Sequence, residues 1–167
     1  MNKLIKGKKY TYNIAPKSIT SEQAVAYQIN NKSKFFTYFK TLMQDRLQVV
    51  KTIKSGLSNS FYKDLLKYLP LTEARWASIF NVSTKSLQRY LEGDHVFKPI
   101  HSEKLIEMTE VTLQGLETFG SQEKFSLWLH TPSMVFEGIL PVDLLSDSYG
   151  KDLVLVELAR IDNGIFA

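Results

Sequence analysis

A chain of 167 residues without cysteine excludes a disulfide-stabilised fold and a thiolate metal site, and it predicts a reducing, cytoplasmic setting. With 44% hydrophobic and 23% charged residues the chain can bury a core, and no apolar run is long enough to span a membrane. The basic segment Met1–Lys9 lacks an apolar stretch, so no secretory signal is predicted. The net charge of +4 combines +10 over residues 1–68 with −6 over residues 69–167. This asymmetry favours an anionic partner such as nucleic acid, although a lysine-rich solvated arm explains it equally well.

The first 36 residues are predicted to form a basic N-terminal extension. Tyr10, Tyr12 and Ile14 alternate with polar residues, which is a weak strand signal. Residues 20–23 have the residue types of a capping box, so a helix is predicted from there to about Asn30. We expect this extension to become ordered only where it meets a surface.

Apolar residues at helical spacing predict two helices after the extension. The first is expected to run from about Lys34 to Lys54, and Gly56 is expected to end it in a left-handed conformation. Either Ser58 or Ser60 is predicted to cap the second, shorter helix, which Pro70 closes.

The segment from residue 72 to residue 91 has the pattern of a helix-turn-helix. Thr72 is the predicted N-cap of its first helix, and Ser83 is that of its second. Two helices that meet steeply need a small residue at their crossing, where Ala77 lies, and a turn residue that tolerates positive φ, where Asn81 lies. The apolar residues predicted to face inward around the turn are Trp76, Phe80, Val82, Leu87 and Tyr90.

The second helix of this motif presents hydroxyls, an amide and two cations outward. Such side chains contact phosphates and base edges when a recognition helix enters the major groove. The candidate DNA-binding residues are Ser83, Thr84, Lys85, Ser86, Gln88 and Arg89. An ordinary helical hairpin with a polar face is the alternative, because two cations are few for a DNA-binding helix. The basic N-terminal third of the chain is a further source of phosphate neutralisation.

A long helix and a short one are predicted after the helix-turn-helix. The long helix is expected from Ser102 to about Phe119, where the small residues Thr112 and Gly115 would let another helix approach closely. Ser121 is predicted to cap the short helix, which Pro132 stops.

The last helix, predicted from Ser148 to about Asn163, is apolar on more than one side. One apolar stripe consists of Val154, Leu158, Ile161 and Ile165. The other consists of Tyr149, Leu153 and Val156. A helix that is apolar nearly all round is buried on several sides, so part of this surface is expected to meet another chain. Residues 153–156 are also compatible with a strand, but the stop after residue 162 favours a helix.

These segments together carry a resemblance to a known family. The residues that carry it are the Ser83–Arg89 segment, Phe119, Gly120, Trp128, Leu129, Pro132, Gly138, Pro141, Leu144, Leu145, Gly150, Arg160, Ile161 and Gly164. In this order they resemble the Xre/MbcA/ParS-type antitoxins, which neutralise RES-domain toxins. The resemblance covers residues 37–167 and is most specific over residues 119–167. Two positions depart from the pattern, since Ser133 stands where Asn is expected and Ser86 where Thr is usual.

The resemblance implies an all-α fold in which a helix-turn-helix body is followed by a small helical domain. The implied domains are the extension (1–36), an Xre-like helix-turn-helix domain (37–118) that binds DNA or dimerises, and a toxin-binding domain (119–167). It further implies that the toxin consumes NAD and that the C-terminal end of the antitoxin covers the toxin's active site. The implied toxin-binding residues are Trp128, Pro132, Gly138, Pro141, Asp162, Asn163, Gly164, Ile165, Phe166 and Ala167.

Physical arguments agree with this role and also offer alternatives to it. An acidic domain suits a cleft that accepts anionic NAD, and an apolar tail with a glycine hinge suits insertion into a pocket. Trp128 is however equally suited to a core, Gly138 and Pro141 to shaping a loop, and residues 165–167 to packing on their own domain. The resemblance also implies a homodimer within a larger toxin–antitoxin complex, with operator DNA as a second partner for autoregulation. The alternative function is a dimeric helix-turn-helix transcription regulator with no toxin-neutralising role.

No catalytic site is predicted. His95, His101 and His130 lack metal-ligand spacing, and the chain has neither a phosphate-binding glycine loop nor a nucleophile elbow. Asp143 and Asp147 are four residues apart, but acidic residues beside a helix start are usually caps. We therefore expect a protein that is not an enzyme, needs no cofactor or metal and has no membrane partner.

Overall fold

The computed structural model describes residues 34–165, and its regular elements are helices. No strand occurs among those residues, although an isolated antiparallel bridge joins Ser58 to Val96. The predicted all-α class is therefore confirmed. From Phe36 onward the described residues belong to one compact unit. The strand signal and the capping box predicted within the first 30 residues lie outside the described residues.

The helices follow one another with short connections. They are α1 (residues 34–43), α2 (Arg46–Ser55), α3 (Asn59–Leu66), α4 (Glu73–Ile79), α5 (Thr84–Leu91), α6 (Pro99–Phe119), α7 (Gln122–Leu129), two 3-10 helices (Met134–Phe136 and Pro141–Ser146) and α8 (Ser148–Asp162). Within this described part of the chain, no helix has both the length and the apolar character that a membrane crossing requires.

The single helix predicted for residues 34–54 is wrong, because the chain breaks at Asp45 into α1 and α2. The backbone of Asp45 is extended, and its carboxylate accepts hydrogen bonds from the N–H groups of Leu47 at 3.0 Å and Gln48 at 3.1 Å. These bonds satisfy two otherwise unpaired donors of the first turn of α2, which is the role of an N-cap. Gly56 ends α2 as predicted, but with φ 86° and ψ 143° it lies outside the left-handed helical region.

Aromatic side chains from α3, α4 and the segment before α6 form a buried cluster. The ring of Tyr62 has its centroid 5.1 Å from that of Trp76, 5.5 Å from that of Phe80 and 5.6 Å from that of Phe97, in edge-on geometry. Edge-to-face pairs of this kind stabilise the core beyond the effect of their buried area. Burial, together with the nearby carboxylate of Glu73, raises the pKa of Tyr62, so this side chain is a neutral phenol.

The longest helix, α6, packs against α2, which precedes it in the chain, and against α7 and α8, which follow it. It begins at Pro99, earlier than the predicted Ser102, because proline is well suited to the first turn of a helix. It ends at Phe119, as predicted. The predicted close approach of another helix is confirmed at Gly115, where a Cβ atom would lie 2.2 Å from the Phe125 ring of α7.

The position of α8 is fixed by a close approach at Gly150. A Cβ atom there would lie 2.1 Å from the carbonyl oxygen of Leu144 in the second 3-10 helix, so only glycine fits without a shift. Val154 and Leu158, from the first predicted stripe, are fully buried. The strand alternative for residues 153–156 is excluded, because all four are helical.

Polar side chains hold the first turn of α8 to α6. Ser148 Oγ donates to Glu107 Oε1 at 2.8 Å. Lys151 pairs with Asp152 at 2.5 Å and with Glu110 at 3.7 Å. Burial alone lowers the pKa of Lys151, but the hydrogen bond to Asp152 and the surrounding carboxylates raise it overall. The charged ammonium group therefore contributes to the docking of α8.

Candidate functional site

Two helices joined by a tight turn, α4 and α5, lie where the helix-turn-helix was predicted. The hydroxyl groups of Thr72 and Ser83 each accept a hydrogen bond from a backbone N–H of the following helix, at 3.4 and 3.1 Å, so both predicted N-caps are confirmed. Asn81 has a φ of 52°, as its position in the turn required. The N–H of Val82 donates to the carbonyl of Ala77 at 2.9 Å and closes the turn.

The predicted inward-facing residues hold this helix pair on the aromatic cluster. Trp76, Phe80 and Leu87 are buried, and Val82 and Tyr90 are half-buried. The outer surface of α5 is thereby fixed by the packing of its inner surface, which is what a rigid binding helix requires.

The candidate DNA-binding residues differ in how far they are engaged within the protein. All six are exposed except Ser86, which is half-buried. Gln88 Nε2 donates to Glu73 Oε2 of α4 at 3.2 Å, and Arg89 Nη2 donates to Ser86 Oγ at 3.3 Å. Lys85 forms no ion pair with any residue in the described part of the chain. Lys85 is therefore the cation of α5 that is most available to a phosphate.

The four predicted toxin-binding residues before α8 lie in different environments. Trp128 is half-buried, and its ring is stacked on that of Phe125 with centroids 6.4 Å apart. Pro141 is buried at the start of the second 3-10 helix, which agrees with the loop-shaping alternative. Pro132 and Gly138 are exposed, and Gly138 has a φ of 86°. Pro132 and Gly138 are thus accessible to a partner, and Pro141 is not.

The predicted toxin-binding residues at the end of α8 are exposed as far as the structure describes them. They are Asp162, Asn163, Gly164 and Ile165, whereas Phe166 and Ala167 lie outside the described residues. Ile165 keeps 54% of its surface exposed, so most of this apolar side chain remains available to a partner.

The backbone at the end of α8 forms a Schellman cap. The N–H of Gly164 donates to the carbonyl of Ile161 at 3.0 Å, and the N–H of Ile165 donates to the carbonyl of Arg160 at 2.9 Å. Gly164 has a φ of 70°, a conformation that glycine adopts without strain. Gly164 is therefore part of a hydrogen-bonded turn, which corrects the prediction that it acts as a hinge.

The structure exposes further apolar side chains in the C-terminal part that the candidate set lacks. They are Leu127, Met134, Val135, Ile139, Tyr149, Leu153 and Val156. Three of them, Tyr149, Leu153 and Val156, form the second stripe predicted on the last helix, and we call them the α8 ridge. The helical period identified this stripe in the sequence. No sequence signal distinguished Met134, which is 90% exposed, from a core residue.

The electrostatic character of this C-terminal part is acidic. Residues 115–167 carry three Lys and Arg side chains and eight Asp and Glu side chains. Five of the eight carboxylates have partners between residues 34 and 165. Asp147 caps α8 through the N–H of Gly150 at 2.8 Å, and the other four form ion pairs: Glu117 with Lys40, Asp143 with Arg75, Asp152 with Lys151 and Glu157 with Arg160. Among the described residues, no group of His, Asp or Glu side chains is placed to hold a metal ion. The arrangement is suited to binding a partner through apolar and acidic surface.

The described residues define a class of protein in which a pair of helices joined by a tight turn is followed by a small helical domain with an exposed apolar face. Comparison with known families finds a match for that domain. Residues 114–164 match the family described as the antitoxin Xre/MbcA/ParS C-terminal toxin-binding domain.

Two individual proteins match over longer stretches. The Prs ADP-ribosylating antitoxin of Sphingobium sp. (strain YBL2) is 23% identical over an alignment of 141 residues, and the match covers 79% of this chain and 89% of that protein. One chain of the crystal structure of the M. tuberculosis MbcT-MbcA toxin–antitoxin complex aligns with a TM-score of 0.53 at 24% identity. The alignment covers 65% of this chain and 96% of that chain, and at this identity it shows a shared fold.

These matches confirm the predicted resemblance to the Xre/MbcA/ParS-type antitoxins. The family match over residues 114–164 supports the function of an antitoxin, with a toxin as its partner.

Proposed function

We propose that this protein neutralises a RES-domain, NAD-consuming toxin of a type II toxin–antitoxin system by covering the toxin's active site with residues 119–167. The observation that carries the proposal is the exposed apolar surface of this domain, above all the α8 ridge. The ridge lies inside the matched residues 114–164.

The ridge has the properties of the centre of a protein interface. Tyr149, Leu153 and Val156 are spaced by four and three residues, so they lie along one side of α8. Tyr149 is 88% exposed, and an aromatic ring of this kind supplies a large contact area at low entropic cost. On the opposite side, Val154 and Leu158 are fully buried. The ridge is therefore presented on a helix that is held firmly by its own core.

Charge supports a toxin that binds an anionic substrate. The excess of five carboxylates over residues 115–167 favours a partner with a cationic cleft, and a cleft that accepts anionic NAD is of that kind. Opposite charge accelerates association and discriminates against wrong partners more than it adds affinity. The apolar ridge then supplies affinity, while the acidic surroundings supply selectivity.

The test is co-expression of the antitoxin with the RES-domain toxin that we expect to be encoded beside it, with cellular NAD as the readout. A variant with Leu153→Asp and Val156→Asp is expected to lose protection, because two carboxylates would be buried without partners in the interface. The control carries Val96→Asp and Ile100→Asp, which change two comparably exposed apolar residues outside the matched domain and are expected to keep protection.

A second variant separates the tail from the ridge. Deletion of residues 164–167 removes the Schellman turn and the residues that follow it, and it is expected to lower protection without preventing complex formation on a sizing column. Full protection after this deletion would show that the tail does not cover the active site. Full protection by both the deletion and the ridge variant would refute neutralisation through this domain.

Operator binding by the helix-turn-helix, as a homodimer that represses its own operon, is a second proposed activity. Lys85 at the start of α5 favours it, because this side chain is exposed and forms no ion pair with any residue between 34 and 165. Lys85→Ala with Arg89→Ala is expected to abolish binding to the upstream region of the operon and to leave NAD protection intact. Lys98→Ala with Lys124→Ala is the charge-matched control. Operator binding combined with no protection in any assay would favour the alternative, a dimeric transcription regulator.

A further inference from the structure

One helix surface outside both candidate regions carries cations and no carboxylate. In α2, Arg46, Lys51 and Lys54 are exposed, and the exposed side chains of Leu47 and Val50 lie among them. At 100° per residue, these five positions fall within an arc of about 140° on the helix. We call this arc the α2 face. Nothing proposed above for α5 or for the C-terminal domain uses it.

These three cations are not neutralised within the described part of the chain. α2 itself contains no Asp or Glu, and none of its cations forms an ion pair with a residue between 34 and 165. Three carboxylates of α6, the helix on which α2 packs, each pair with a lysine outside α2. They are Glu107, Glu110 and Glu117. The charge of the α2 face is therefore available to a partner.

The helix that presents these cations is defined at both ends and has little of its own surface buried. Asp45 caps its start through two hydrogen bonds, and the N–H of Gly56 donates to the carbonyls of Thr52 and Ile53 at its end. None of its residues is buried. A well-capped helix with an outward cationic face is a suitable platform for contacts with a polyanion.

We propose that the α2 face contacts backbone phosphates of the duplex DNA bound by the helix-turn-helix, an inference that rests on the operator binding proposed above. α5 contributes only Lys85 and Arg89 as cations, and α2 adds three more along about 12 Å of helix axis. Phosphate contacts of this kind fix the position of a protein on a duplex and supply the salt-dependent part of its affinity. The recognition helix then needs few cations of its own.

A second copy of this chain is a poorer occupant of the α2 face. Two such faces in contact would bring six cations together without a carboxylate between them. The apolar part consists of Leu47 and Val50 alone, which is far from the roughly 800 Å² per partner that stable protein interfaces bury. The charge pattern therefore favours a polyanion over a self-contact.

The experiment measures DNA affinity of the full chain as a function of salt, using a duplex from the region upstream of its coding sequence and a random duplex of equal length. The α2 variant carries Arg46→Gln, Lys51→Gln and Lys54→Gln. The control carries Lys63→Gln, Lys98→Gln and Lys124→Gln, which are exposed lysines outside both helices with no ion pair among the described residues. Both variants change the net charge equally, so an effect of overall charge would appear in both.

Loss of three phosphate contacts is expected to make the slope of log K against log salt shallower by about 2.7, on both duplexes. Wild type would then lose about 40-fold more affinity than the α2 variant between roughly 50 and 200 mM salt. The control is expected to keep the wild-type slope. A slope that is unchanged in the α2 variant while Lys85→Ala with Arg89→Ala abolishes binding would overturn the α2 contact and leave operator binding in place.

Two other results would also overturn the inference. If the wild-type protein binds neither duplex at low salt, both operator binding and the α2 contact are refuted. Toxin neutralisation is still tested separately by NAD protection. The second result combines two measurements. Light scattering would show a changed oligomeric state in a variant with Leu47→Gln and Val50→Gln, and the slope of log K against log salt would be unchanged in the α2 variant. This combination would identify the α2 face as a contact between copies of the chain.

Discussion

Replacement of Gly150 by alanine tests whether the close contact between α8 and the second 3-10 helix positions the proposed toxin-binding surface. The added Cβ atom would lie 2.1 Å from the carbonyl oxygen of Leu144 and 3.1 Å from its Cα atom. Real Cβ contacts do not come closer than 3.0 Å, so the two elements must separate by about 0.9 Å. The atoms that obstruct it belong to the backbone, so a change of side-chain rotamer cannot relieve the clash.

The free energy of unfolding that Gly150→Ala loses through this clash is expected to exceed what it gains from the higher helix propensity of alanine. Alanine in a helix interior is favoured over glycine by roughly 1 kcal/mol. Overpacking costs about 1–3 kcal/mol, and displacement of α8 also weakens the cap from Asp147, which is worth about 1 kcal/mol. The net loss in free energy of unfolding is therefore about 2 kcal/mol. For a chain of this size that corresponds to a fall in Tm of about 4–8 °C.

The assay is urea and thermal unfolding of wild type and Gly150→Ala, followed by toxin binding at a temperature where both are folded. The control is Ala159→Gly at an exposed position of the same helix, which is expected to cost roughly 1 kcal/mol through propensity alone. We expect Gly150→Ala to be the less stable of the two and to bind the toxin more weakly, because the ridge moves with α8. A Gly150→Ala protein as stable as wild type would refute the argument.

Three further predictions concern stability. Burial, followed by the charges of Lys98 and His95, holds the pKa of His101 below its ordinary value of 6.5. Near that pH the unfolded chain therefore binds a proton at this imidazole more readily than the folded chain does. The free energy of unfolding is thus expected to fall as the pH drops below about 6.5. His101→Phe should flatten this dependence in urea titrations at a series of pH values, and an unchanged slope would assign the loss to other groups. Asp45→Ala removes both cap bonds of α2 and is expected to cost about 1 kcal/mol in free energy of unfolding; Asp94→Ala, at an exposed loop residue, should cost little, and equal losses would contradict the cap. The ion pair between Arg75 and Asp143 links α4 to the second 3-10 helix, but both side chains are over 30% exposed, so a double-mutant cycle should give a coupling below about 1 kcal/mol. A coupling of several kcal/mol would show that this contact holds the two parts together.

Local signals predicted the helix ends well where one residue type determines them. Thr72, Ser83 and Ser121 act as N-caps, because a hydroxyl at a helix start accepts a hydrogen bond from one of the otherwise unpaired N–H groups of the first turn. Asn81 adopts positive φ for a similarly local reason. Both stripes of α8 were also visible from its period. The sequence could not show which stripe faces the core, because that depends on which side of α8 packs against α6.

Two boundaries were missed for opposite reasons. At Asp45 the apolar period continues across the break, so the period masked a cap whose hydrogen bonds exist only once the chain turns there. At the start of α6 the predicted Ser102 is three residues late, because Pro99 occupies the first turn of the helix without loss of a hydrogen bond. Burial that depends on tertiary contacts was harder still to predict from the sequence. Pro141 is buried, for example, and Met134 is almost fully exposed.

The predicted boundary between residues 118 and 119 falls at the end of α6, and the two parts that it separates share this helix as a support. Because α6 packs against α2, α7 and α8, a change in its core, for example at the fully buried Leu105 or Met108, is expected to disturb the α2 face and the α8 ridge together. A parallel loss of the proposed DNA binding and the proposed toxin neutralisation in such a variant would therefore reflect a loss of stability. Communication between the two surfaces has to be tested with surface variants that leave the free energy of unfolding unchanged. Lys85→Ala with Arg89→Ala and the ridge variant Leu153→Asp with Val156→Asp meet that requirement, because all four side chains are exposed.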